Sequence, residues 1–286
     1  EEALALSPTA RGKVVHDVLR ELYAEGVPSA LAGAELSAEV ARLTEGALAA
    51  LEAEGELPLP FVFDMERRLL TRKLAAYVRE DAAAGDGWEP AHFELRFGRR
   101  PAASDDPAST ESPLLLDLRE EAAEGEAGPA AAEIHGRIDR VDRRGDGARV
   151  LDYKTGRRGR FVENVDGGRQ LQPPLYLTAY EKLFGADASS SSAGYCFPLE
   201  DGRKYKFVVS EKRPLDAAAV RRLVAGLLGL AYDGVFVAGR DGSSRAAGAC
   251  RYCEFRTVCD AGPGYLSVEK WTSPRAARLA ELREIK

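Results

Sequence analysis

Two aspartates and a lysine on neighbouring predicted strands constrain this chain more than any other feature. Asp139 stands in "GRIDRVD", a "GDG" turn follows, and thirteen residues after Asp139 the next strand ends in Asp152-Tyr153-Lys154. Asp152 follows Val150 and Leu151, and Gly156 comes two residues after Lys154, so an apolar strand delivers opposite charges to a sheet end. Strand residues alternate faces, which puts Asp152 and Lys154 on one side and turns Tyr153 away. An isolated Asp-x-Lys arises roughly once by chance in a chain of this length. The hairpin supplies the specificity.

The surrounding pattern is helices, then sheet, then mixed elements. Residues 8–24 read as an amphipathic helix, with Val15, Val18, Leu19 and Leu22 at helical spacing, Gly26 as a stop, and Gly12 and His16 on the other face. Helices over about 36–54 and 61–84 complete an N-terminal helical lobe. "HFELRFG" then alternates as a strand, and Arg100 to Pro113 reads as a loop within a surface insertion spanning 98–130. "PLLLDLR" and "EIHGRIDRVDRR" read as neighbouring strands joined by an acidic linker, and "ARVLDYKTG" as the next. Helices about 175–183 and 215–232 flank strands near 193–197 and 204–209. No repeat and no long linker is visible, so residues 1–286 are expected to form a single domain.

With 286 residues, 45% of them hydrophobic and 30% charged, the chain can bury a substantial core, which excludes collagen-like, coiled-coil and wholly disordered classes. It has no run of eighteen apolar residues and no basic start followed by an apolar stretch, so a cytoplasmic protein with no membrane contact is expected. The net charge of -6 is misleading, because residues 104–126 hold eight acidic residues and one basic. Residues 136–169 carry ten basic residues against six acidic, a local patch suited to a polyanion or to an ordinary solvated face.

Phosphodiester hydrolysis needs what the hairpin offers: carboxylates to hold divalent cations that stabilise an in-line transition state and activate water. A lysine orients that water and balances charge developing on the phosphate. The plain alternative is an ion pair across the hairpin, Asp139 with Lys154 or Asp152 with Arg140.

Five ordered motifs resemble the RecB-like and AddB-like branch of the PD-(D/E)XK nuclease superfamily: Gly12-x-x-x-His16, Glu94 in "FELRF", Gly136-x-x-Asp139, Asp152-x-Lys154 and Gln172-x-x-x-Tyr176. Cys250, Cys253 and Cys259 follow in C-x2-C-x5-C spacing. The resemblance implies an α/β fold with a restriction-endonuclease-like core, a mixed central sheet flanked by helices, and a C-terminal cysteine lobe. It implies a magnesium- or manganese-dependent DNA exonuclease in double-strand break processing and recombinational repair. His16, Asp139, Asp152 and the Tyr153 carbonyl are then metal ligands and Lys154 the catalytic lysine. Glu94 serves as an auxiliary carboxylate, while Gln172 and Tyr176 border the site and touch substrate. Taken alone, His16 is an ordinary partly buried histidine, and His135 competes with it. Pro173 and Pro174 directly follow Gln172, so the helix is expected to start later than the family pattern.

Three thiolates at this spacing suit zinc or an iron-sulfur centre, and the resemblance favours a structural 4Fe-4S cluster. Its fourth cysteine is expected upstream of Gly12, where this chain has none, so the chain reads as a fragment of a longer helicase-nuclease that works with a helicase subunit or domain. Cys196 is either a substitute ligand or, preferably, a buried strand thiol. No G-x-x-x-x-G-K-[ST] phosphate loop occurs, so ATP-driven movement belongs to other residues or a partner. Two alternatives stand beside the exonuclease reading: a stand-alone nuclease of the CRISPR-adaptation type and a non-catalytic DNA-end-binding module.

Overall fold

The computed structural model describes residues 6–26, 31–53, 60–121, 128–202, 204–236 and 273–286. Cys250, Cys253 and Cys259 lie outside these residues. Helix α1 (Pro8–Ala24) starts where Ser7 Oγ accepts the Ala10 N–H at 3.0 Å, with Pro8 in the first turn, where its missing donor costs nothing. Its Val14, Val15, Val18, Leu19 and Leu22 form a buried stripe. That stripe packs with α2 (Gly33–Ala53) and α3 (Pro60–Ala82), giving the expected helical lobe.

The strands among the described residues are β1 (Glu89–Phe97), β2 (Leu114–Asp117), β3 (Ala131–Ile134), β4 (Gly136–Arg144), β5 (Gly147–Tyr153), β6 (Ser192–Cys196) and β7 (Tyr205–Val209). The main sheet has the order β1-β4-β5-β6-β7, with β5 and β6 parallel and every other pair antiparallel. The parallel pair requires a crossover, which α4 (Gln172–Phe184) supplies. One face of the sheet, including Phe93, Leu151, Tyr153 and Cys196, joins the core of the helical lobe. Lys154 reaches Gln172 of α4 on the opposite side. The fold is thus mixed α/β, a mixed central sheet flanked by helices, as the motif order implies.

The described residues fall into two compact units, the first drawn from Glu1–Leu114, His135–Glu163 and Gln172–Leu215, the second from Leu115–Ile134, Asn164–Leu171 and Asp216–Lys286. In the second, β2 pairs with β3, and α5 (Ala217–Tyr232) is capped by Asp216, which accepts the Ala219 N–H at 2.9 Å. Gly226 lets α6 (Ala277–Arg283) approach, since a Cβ there would lie 2.7 Å from Leu282. No helix among the described residues is long and apolar enough to cross a membrane.

Four sequence expectations change. The strand expected from "EIHGRIDRVDRR" is broken at His135 into β3 and β4, and His135 Nδ1 donates to the Gly98 carbonyl at 2.5 Å. The stretch expected as a surface insertion contributes core, with Leu114, Leu116 and Leu118 buried. Its acidic loop folds back along the outer edge of β1: Asp106 Oδ2 accepts the Phe93 N–H at 3.0 Å, Ser109 Oγ the Arg96 N–H at 2.9 Å, and Thr110 exchanges backbone bonds with Arg96 and Gly98. Helix α4 starts at Gln172 and not near Leu175, because Pro173 and Pro174 fall in a first turn whose N–H groups have no intrahelical acceptor.

The fourth change concerns the basic run. Arg140 and Arg149 are not surface cations but lie on the helical face, buried with Asp142. Arg140 also pairs with Asp81 at 2.8 Å and lies 4.2 Å over the Tyr23 ring.

One carboxyl of α4 makes stability depend on pH. Burial, then the charge of Asp187, pushes Glu181 up to about 7 from an ordinary 4.5, and its Oε1 has no hydrogen-bond partner among the described residues. The folded protein therefore holds this proton more tightly than the unfolded chain, a stabilisation present in full below pH 4.5 and lost as pH rises through about 7. Glu181→Gln is expected to raise stability at pH above 7 by about 1 kcal/mol, after allowing for solvent screening of a half-exposed group, and to change nothing in acid. Urea unfolding of both proteins across that range checks it; an unchanged difference between acid and base removes the assignment.

Candidate active site

The register of β4 and β5 opposes Arg140 to Leu151, which sets Asp139 beside Asp152 on adjacent strands. Asp139 Oδ2 accepts the Tyr153 N–H at 2.7 Å, leaving Oδ1 turned to α1. There His16 Nδ1 lies 3.4 Å from Asp139 Oδ1 and 3.6 Å from Glu94 Oε1. Ligand atoms of His16, Glu94 and Asp139 all fall within 4.8 Å of one another. Glu94, expected as an auxiliary group, therefore stands among the potential ligands, whereas His135 does not. The His16 ring is held edge-on to Tyr153, with centroids 5.6 Å apart.

Glu94 owes its aim to a backbone that its alternating strand pattern does not foretell. Its φ is +54°, in the left-handed region that side chains rarely adopt, and the loop holds it there through the Asp106 N–H, 3.3 Å from the Glu94 carbonyl. Arg137 Nε holds Glu94 Oε2 at 2.7 Å from the exposed side.

The second half of the site lies on the α4 side of the sheet. Lys154 Nζ pairs with Asp152 Oδ2 and donates to Gln172 Oε1 at 3.2 Å, and Gln172 Nε2 donates to the Tyr176 hydroxyl at 3.3 Å. Asp152 and Lys154 thus share a side, and neither cross-hairpin ion pair forms: Lys154 takes Asp152, and Arg140 faces away. Gly136 has a physical reason to be glycine, since a Cβ there would sit 2.7 Å from both Phe97 and Tyr176. A Cβ on Gly12 would meet nothing within 4 Å.

Electrostatics favour positive charge at this point. Burial opposes protonation of His16, but hydrogen bonds and charge from Asp139 and Glu94 prevail and hold the imidazole up at about 10. Burial, then the charge of Asp139, pushes Asp152 up to about 7 against the pull of Lys154. Two buried carboxylates converging on one point with an imidazole fit a divalent cation, the oxygens suiting magnesium or manganese and the nitrogen tolerated better by manganese.

Tyr195 is a neighbour that sequence reasoning missed. It pairs in register with Asp152, and its ring centroid lies 5.5 Å from Lys154 Nζ. Parallel pairing of β5 with β6 is the signal that would have located it. Cys196, by contrast, is a buried thiol bonded to the Tyr77 hydroxyl at 3.2 Å and pushed up to about 12 by burial, in line with the preferred reading of it as a strand thiol.

No curated protein matches the chain. A family model of the PD-(D/E)XK nuclease superfamily, in contrast, matches residues 1–260, a span that contains both halves of the site and the whole main sheet. With the aspartates and lysine delivered by adjacent strands of that mixed sheet, the chain belongs to the PD-(D/E)XK nuclease superfamily.

Proposed function

We propose that this chain is a divalent-metal-dependent nuclease that hydrolyses phosphodiester bonds in DNA. One observation carries the reading: His16, Glu94 and Asp139 come from three separate elements, α1, β1 and β4, yet their ligand atoms converge within 4.8 Å. They would hold the cation, with Asp152 and the Tyr153 carbonyl completing the ligand set. A divalent cation there supplies charge stabilisation to the phosphoryl transition state and lowers the pKa of an attacking water. Lys154, fixed between Asp152 and Gln172, orients the nucleophile and offsets charge on the phosphate. Tyr176 fixes Gln172 in turn.

The RecB-like and AddB-like motif order supports a finer assignment, an exonuclease acting at double-strand break ends beside a helicase. The spacing of Cys250, Cys253 and Cys259 supports a structural 4Fe-4S cluster, which iron and acid-labile sulfide content would test. The function itself is tested by incubating the protein and Asp152→Ala with end-labelled single-stranded and duplex DNA, with and without manganese. Metal-dependent cleavage that the variant loses is the expected result. Binding without cleavage under every condition would leave a non-catalytic end-binding module and overturn the nuclease.

A further inference from the structure

The ten cations of residues 136–169 are not equivalent once folded. Arg140 and Arg149 are buried in ion pairs, Arg137 holds Glu94, Lys154 holds Asp152, and Arg158 holds Glu200. Arg157 and Arg160 differ from these. Both are exposed, and neither side chain makes an ion pair or hydrogen bond among the described residues. Arg157 caps and Arg160 ends a single 3-10 turn (Arg158–Arg160), and because Arg157 follows Lys154 by three residues, its Cα lies within about 11 Å of the Lys154 Cα by chain length alone.

The turn is fixed from beneath and open above. The Arg158 N–H and Nε donate to the Glu200 carboxylate at 3.0 and 3.2 Å, and Lys206 Nζ donates to the Phe161 carbonyl at 2.7 Å. Phe161 is half-buried against Tyr195 and Phe197, with ring centroids 4.6 and 5.3 Å away. Because the Tyr195 ring also lies 5.5 Å from Lys154 Nζ, the Phe161 ring sits within about 10 Å of that amine. Gly156 and Gly159 have no reason within the fold to be glycine. Neither has a left-handed φ, and a Cβ on either would meet nothing within 4 Å. What a side chain would obstruct there is the close approach of something else to the backbone.

Two outward guanidiniums separated by one turn, an aromatic ring beside them and an open glycine backbone are the components of a single-strand binding element: phosphates take the arginines and a base stacks on the ring. We propose that the turn at residues 156–161 is a binding site for a single strand of DNA, in which Arg157 and Arg160 hold phosphates and Phe161 stacks a base next to Lys154. This deepens the nuclease reading and rests on it only for what happens to the strand after it is bound.

The test measures binding of a labelled oligothymidylate by fluorescence anisotropy, in EDTA so that nothing is cleaved, over a series of salt concentrations. The double variant R157A/R160A should flatten the dependence of log Kd on log salt by about 1.4, one strand phosphate for each arginine, and R157K/R160K should restore it. Phe161→Leu should weaken binding roughly 10-fold with the salt dependence unchanged. An unaltered salt slope in the double alanine variant overturns the site. Equal weakening of a blunt duplex by Phe161→Leu, or tighter turn-dependent binding of oligouridylate, overturns its assignment to single-stranded DNA. Turn-dependent binding by a protein that never cleaves sinks the nuclease reading alone. Metal-dependent cleavage by a protein whose strand affinity ignores these residues sinks this one alone.

Discussion

Asp139→Asn should abolish cleavage while leaving a folded protein. The aspartate divides its oxygens between two tasks, Oδ2 accepting the Tyr153 N–H and Oδ1 facing His16. An amide keeps the volume but has one acceptor and one donor, so it either loses the Tyr153 bond or turns N–H groups toward the cation position. In both orientations a charge is gone from the cluster. The expected loss in kcat/KM is at least about 10³-fold. A second readout separates lost metal from lost chemistry: at manganese about 100 times its Kd, the parent gains roughly 2.7 kcal/mol of stability by linkage, and the variant should gain almost none. A variant that keeps both the manganese shift and the cleavage would sink the assignment of the cation to Asp139.

Arg140→Met should be the most destabilising single change on the helical face. The guanidinium is 1% exposed, donates to Asp142 Oδ1 at 2.5 Å and to Asp81 Oδ2 at 2.8 Å, and reaches the Tyr77 hydroxyl at 3.3 Å. Methionine fills much of the space but takes the guanidinium away from Asp81, whose carboxylate faces the hydroxyls of Tyr23 at 2.6 Å and Tyr205 at 3.2 Å. Asp142 retains Arg149. Breaking a buried pair by removing one partner costs about 3–5 kcal/mol, a fall in melting midpoint of roughly 10 °C for a chain of this size. At low temperature the surviving folded protein should cleave normally, since Arg140 points away from Asp139. A variant as stable as the parent would mean that the buried carboxylates have other means of neutralisation.

These two residues show what the sequence discloses and what it hides. Asp139 was legible because strand alternation and a short turn fix its distance from Asp152 before any folding detail is known. Arg140, its neighbour, reads in the sequence as one cation of a basic run, because charge alone does not say which face of a strand is covered; the Tyr77 and Asp81 that bury it arrive from α3, some sixty residues earlier. Helix α1 and the β5 strand were readable from apolar spacing. The aim of Glu94 was not, since its left-handed φ is imposed by a distant loop and leaves no mark on its alternating pattern. Tyr195 was hidden for a related reason: its place beside Asp152 depends on a parallel pairing across α4, a long-range choice.

The acidic loop that lies along β1 has a consequence for how this protein meets others. Its bonds from Asp106, Ser109 and Thr110 occupy the outer donors and acceptors of β1 at Phe93, Glu94 and Arg96 and continue just past its end to Gly98. Over that half of β1 a foreign strand finds these groups already engaged, so β-augmentation and edge-to-edge aggregation through it are disfavoured. Any companion chain that docks there must recognise side chains rather than borrow the sheet.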